Sequence, residues 1–101
     1  MKTIPQAVAF LAQYFNVPAE GFYSLGLKRS DIFKKRISQM LIREVFQRNA
    51  TYRVICDHIG GQEPALWESL KKGYGWIETG YTEFIDEYNK AKIEFNNWIN
   101  S

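Results

Sequence analysis

Apolar residues recur at three- and four-residue steps along most of the chain, and no stretch of convincing length alternates apolar with polar, so the pattern predicts an all-α, compact multi-helix domain. Pro5 opens a first helix over PQAVAFLAQYF, with Val8, Leu11, Ala12 and Phe15 on one stripe and proline where a helix start tolerates it. Asn16 to Pro18 ends it. PAEGFYS allows one short helical turn and LGLKR reads as a loop. Ser30 or Asp31 then caps a longer helix, DIFKKRISQMLIREVFQR, in which Phe33, Ile37, Met40 or Leu41, and Glu44 or Val45 fall at helical spacing; this is the expected central helix.

Asn49 and Ala50 break the pattern, and Thr51 caps a short helix over YRVICDHI that Gly60 and Gly61 stop. A further helix starts at Pro64 and continues through Leu66, Leu70, Tyr74 and Ile77, although Gly73 and Gly75 weigh against its last turns, each costing about 1 kcal/mol relative to alanine. After Gly80, Thr82 caps a final amphipathic helix over about residues 82–99, with Phe84, Tyr88, Ala91, Phe95 and Trp98 in four-three steps.

Composition narrows the class. The chain has 101 residues, 46% of them apolar, enough for one domain spanning 1–101 with its own core. Cys56 is the only cysteine, which excludes an intrachain disulfide and a cysteine-based zinc site and suits a reducing, cytoplasmic setting. The longest apolar runs fall short of the roughly 20 residues that span a bilayer, and the N-terminal MKTIPQAVAFLAQYF lacks the small-residue cleavage site of an export signal.

Charge is unevenly spread. Eight basic residues (Lys28, Arg29, Lys34, Lys35, Arg36, Arg43, Arg48, Arg53) face two acids between residues 28 and 53, a net of +6, whereas residues 78–94 carry five acids and two lysines, a net of −3. Such polarity marks either a polyanion-facing side or ordinary solvated helix faces. Thr51 to Lys72 has the outline of a helix-turn-helix, two helices joined by a glycine turn, which many helical bundles share.

Three segments carry a more specific likeness. VAFLAQYFNV, KRISQMLIREV and TYRVICDHIGG are similar, in that order, to the opening helix, the RQIAMYLxRE core helix and the SLPxIGxxFGG segment of the C-terminal DNA-binding domain of the bacterial replication initiator DnaA. Lys35, Ile37, Leu41, Arg43, Glu44, Ile55, Gly60 and Gly61 fall in register, although the spacing from Glu44 to Gly60 is about two residues longer than the family's. The resemblance covers about 75 residues, from Ala7 to roughly Ile77. It implies a Trp-repressor-like helical fold, binding of double-stranded DNA, and a role in replication initiation or its regulation.

The resemblance also implies roles. Lys35 and Arg36 stand where the family touches the phosphate backbone, and Lys28 and Arg29 sit in the loop that carries the family's basic residues toward the minor groove. Lys71 and Lys72 lie two turns into the second helix, with Lys72 at a family basic position; all six are expected phosphate contacts. The base-reading stretch departs, because GGQEPALW replaces the family's GGRDHTTV, putting Gln62, Glu63, Pro64 and Ala65 at the reading positions. Glutamine pairs with adenine where arginine would fork onto guanine, and proline has no donor to offer a base, so altered or relaxed specificity is expected.

Catalysis finds little footing. His58, the only histidine, lies two residues from Cys56, a spacing that sets them on different sides of a helix. The acids Glu83, Asp86 and Glu87 read as a solvated face, and GYGW lacks the lysine and hydroxyl of a phosphate loop. No enzyme activity, cofactor or metal is expected. The competing expectation is a protein-interaction module on the same fold, presenting Leu66, Trp67 or the C-terminal helix to a partner; Trp76, Trp98, Tyr74 and Tyr81 add to an aromatic content beyond ordinary core needs.

Overall fold

Thr3 starts the first helix. In the computed structural model, which describes residues 1–101, the Thr3 hydroxyl accepts from the Gln6 N–H at 3.3 Å, and the Gln6 side-chain oxygen accepts from the Thr3 N–H at 2.9 Å. This reciprocal cap satisfies two otherwise free donors. Helix α1 therefore runs Ile4–Tyr14 and takes Pro5 into its first turn.

A 3₁₀ turn at Phe22–Ser24 leads to α2, Arg29–Phe46. Lys28, not Ser30 or Asp31, flanks its start, and no side chain caps it. Asp31 instead accepts from the Gly26 N–H at 3.2 Å, folding the preceding loop back onto the helix. After a second 3₁₀ turn at Gln47–Asn49, Thr51 caps α3, Tyr52–Ile59, accepting from the Val54 N–H at 3.2 Å.

The last two helices are α4, Glu63–Glu78, and α5, Thr82–Ile99. Thr82 lies inside α5 and Tyr81 flanks it. The glycines expected to weaken the end of α4 do not break it. A β-carbon on Gly73 would stand 2.5 Å from the Met40 Sδ and 3.3 Å from the Arg36 side chain, so that glycine lets α4 lie close against α2. Favourable packing there outweighs glycine's low helix propensity.

Five helices and no strand make the fold all-α. Every residue from Ile37 to Ile42 is buried, as befits a helix enclosed on all sides, and α1, α3, α4 and α5 all pack against α2. Arg43 ties off the far end of α2, donating to the Ala50 carbonyl at 2.6 Å and lying over the Tyr52 ring.

Aromatic rings close the other side. Phe33 meets Trp76, Tyr81 and Phe84 edge-on with centroids 5.1 to 5.6 Å apart, the arrangement that ring quadrupoles favour. Glu44 joins three helices by accepting from the Tyr74 hydroxyl at 2.6 Å and the Tyr88 hydroxyl at 2.5 Å, with Lys92 Nζ at 3.5 Å. Burial first, and then this hydrogen bond and the Glu44 charge, push both phenols well above their usual range. The α5 stripe is consumed inside the domain: Phe84, Tyr88, Ala91 and Phe95 are buried and Trp98 stacks on Phe10 at 4.9 Å. No helix is long and apolar enough to cross a membrane.

Candidate nucleic-acid interface

The glycine turn between α3 and α4 is built by backbone chemistry. Gly60 and Gly61 take φ values of +103° and +86°, in the left-handed half of conformational space that residues with a β-carbon avoid. Tyr23 clamps the turn from the preceding loop. Its ring lies where a Gly60 β-carbon would come within 2.8 Å, and its hydroxyl donates to the Asp57 carbonyl at 2.8 Å and the Cys56 carbonyl at 3.3 Å. Those carbonyls belong to the end of α3, where helices leave acceptors unpaired.

The turn delivers α4 with its first residues in solvent. Gln62, Glu63, Pro64 and Ala65 are all exposed, while Leu66 is buried and anchors the helix. Gln62 flanks α4 without making a side-chain cap. Two depressions flank this tip. On the α2 side, a groove of about 320 Å³ is lined by Lys35, Arg36, Gln39, Gln62, Ala65 and Ser69, with Gly60, Gly61 and the loop 25–27 at its rim. On the α3 side, Glu63 and Pro64 share a shallower depression with Arg53, Cys56 and Asp57. Burial, then Glu63 and Asp57, push the Cys56 thiol upward, and the Lys35 charge opposes them.

The basic residues separate into distinct groups. Lys28 and Lys35 lie on the α2 side of the turn, Lys28 exposed and Lys35 partly buried in the groove wall. Lys71 and Lys72 are exposed two turns along α4, and Lys71 Nζ lies 4.9 Å from the centre of the Trp67 ring. The other two expected phosphate contacts differ: Arg29 stays exposed in a surface ion pair, and Arg36 is partly withdrawn into the protein. Arg29 pairs with Glu83 at 3.4 Å and meets the Tyr81 hydroxyl at 3.5 Å, beside a cleft lined by the α5 acids. Arg36 turns inward: its Nε donates to Ser69 Oγ at 3.0 Å and its guanidinium lies 4.5 Å over the Trp76 ring. Burial lowers its pKa, as expected for a cation withdrawn from water.

Ser69 passes that bond onward, donating to Gln39 Oε1 at 2.6 Å. The relay Arg36–Ser69–Gln39 stitches α2 to α4 along the groove floor. Sequence reasoning passed over Gln39 and Ser69, and the available signal was a glutamine among the apolar residues of the central helix. Arg53, counted in the basic block but given no contact of its own, is exposed beside the tip of α4.

The chain matches no family model, no curated protein and no solved structure. Of the aromatics expected at an interface, Trp76, Tyr81 and Trp98 pack against the core and Tyr74 is tied to Glu44. Trp67 remains, 49% exposed.

Proposed function

We propose that the chain binds double-stranded DNA through α3, the Gly60–Gly61 turn and α4, used as a helix-turn-helix of the DnaA C-terminal type, with relaxed sequence preference. One observation carries the reading: Lys35 of α2 and the exposed Gln62 and Ala65 at the tip of α4 line the same groove. A cation beside a protruding helix start is the arrangement that holds a phosphate strand while a helix enters the major groove. Lys28, Lys71 and Lys72 extend the cationic edge, and Arg53 adds a contact on the α3 side. Gln62 offers an amide to base edges, whereas Pro64 and Ala65 offer only apolar surface, so affinity rests mainly on phosphates. By the same resemblance, the biological setting is replication initiation or its regulation.

Fluorescence anisotropy with labelled random-sequence duplex across a salt series tests this. The five cations named predict a log–log slope of about −0.9 for each that meets a phosphate. Absence of binding at low salt would overturn the proposal.

A second reading rests on Trp67. Tryptophan is among the residues enriched at protein-binding hot spots, and a partner seated on the half-exposed Trp67 would use α4 without DNA. Trp67→Ala would abolish that interaction and leave duplex binding near wild type.

A further inference from the structure

We infer that the groove between α2 and α4 is a built site for a phosphate group, held by the Gln39 side-chain amide and the Ala65 backbone N–H together with Lys35; the nucleic-acid version of this site rests on the function proposed above.

Gln39 is only 4% exposed, and its oxygen is taken by Ser69. Ser69 Oγ accepts from Arg36 Nε at 3.0 Å and donates to the Gln39 amide oxygen at 2.6 Å, which turns the NH₂ end of the amide away from Ser69. The Gln39 NH₂ is then left with no protein partner. No side-chain polar atom of the protein is both sealed from solvent and unpartnered, so this nitrogen opens on solvent, and the solvent it meets is the groove that Gln39 lines. Two donors on a side chain that is otherwise buried, aimed into a groove, call for an acceptor.

The start of α4 adds to the demand. The Ala65 N–H lies in the first turn, makes no backbone hydrogen bond and receives no side-chain cap. Such a group favours an anion. Lys35 and the remaining guanidinium N–H groups of Arg36 supply positive charge on the same walls. The one acid in the first turn, Glu63, lines the depression on the α3 side rather than this groove. A nearby carboxylate, Asp31, is bonded to the Gly26 N–H of the rim and is not among the lining side chains. Donors and cations on walls that carry no carboxylate favour a phosphate oxygen, borne either by a nucleic-acid backbone or by a free phosphoryl group.

The test uses the whole chain and follows the Gln39 side-chain NH₂ and the Ala65 amide by nitrogen–proton NMR, titrated separately with inorganic phosphate and with a short random duplex. Both signals should move together and saturate with either titrant. Lys35→Gln should flatten the salt slope of duplex binding by about 0.9, and Gln39→Leu should weaken binding about tenfold with the slope unchanged, since a neutral donor releases no counterion. Duplex binding that leaves the Gln39 and Ala65 signals still would overturn this site while the DNA reading stands. Saturable shifts with inorganic phosphate, without any duplex binding, would support the site and overturn the DNA reading. Silence to both titrants would overturn both. The NMR arms use the unmodified protein, so a Gln39→Leu variant that fails to fold does not remove the test.

Discussion

Gly73 of α4 faces Met40 of α2 at a distance that leaves no room for a methyl group, since a β-carbon there would stand 2.5 Å from the Met40 sulfur. Two turns of packed helix therefore depend on the absence of one atom. Gly73→Ala gains about 1 kcal/mol of helix propensity but must displace a fully buried Met40 and the adjoining Arg36 stem, so a net loss of about 1–2 kcal/mol is expected. Gly75, two residues on, has nothing within 4 Å of the corresponding position. Gly75→Ala should stabilise by about 0.5–1 kcal/mol. Urea denaturation of the two variants checks the pair, and equal effects would contradict the packing argument.

The turn glycines make a second pair. Gly61 is strained for any other residue but open, whereas at Gly60 the same strain is joined by the Tyr23 ring. Gly61→Ala should cost about 1 kcal/mol and Gly60→Ala clearly more. Tyr23→Phe, which loses the bond to the Asp57 carbonyl, should cost about 1 kcal/mol. Thermal melts rank the three.

Tyr74 and Tyr88 make stability fall in alkali. In the unfolded chain each phenol ionises near its ordinary value of 10.0, whereas burial and the bond to Glu44 hold the protons in the folded protein above that. Above about pH 10 the unfolded state therefore sheds protons that the folded state keeps, and rising pH favours unfolding. Below that pH their contribution is fully present. Tyr74→Phe with Tyr88→Phe should lower stability at neutral pH and make the alkaline decline shallower. Tyrosinate absorbance in the folded protein should show Tyr74 and Tyr88 among the last phenols to ionise.

Arg36 and Lys35 are neighbours in sequence with different employment. Arg36→Lys keeps the charge but gives up the Ser69 bond and the flat stacking on Trp76, so it should cost about 1 kcal/mol in a urea titration. Lys35→Gln removes a partly exposed cation and should leave the melting curve nearly unchanged. A reversed order would show that Arg36 is not the strut between α2 and α4.

Helix existence was legible because periodicity and caps agreed: Thr51, Gly60 and the apolar stripe of α2 all act where the pattern places them. Helix starts were less so. Asp31 looks like a cap in sequence but spends its carboxylate on the Gly26 N–H, and Thr3 forms its cap through a glutamine three residues on. Gly73 reads as a weakness because propensity is local while its contact with Met40 is not. At the candidate site, lysines beside the glycine turn could be picked out by position. The arginines' partners could not, because Arg29 meets Glu83 at the surface and Arg36 bonds Ser69 between the helices, residues 54 and 33 positions away. Side chains that far apart meet only through tertiary packing.

The Arg36–Ser69–Gln39 relay also has a mechanical consequence. Because it spans α2 and α4 with bonds of 3.0 and 2.6 Å, it opposes splaying of the two walls. The mouth above them is held against widening before anything enters, so an occupant would pay little to organise its surroundings. Its arrival should be rapid and should leave hydrogen exchange in the neighbouring helices almost as slow as before.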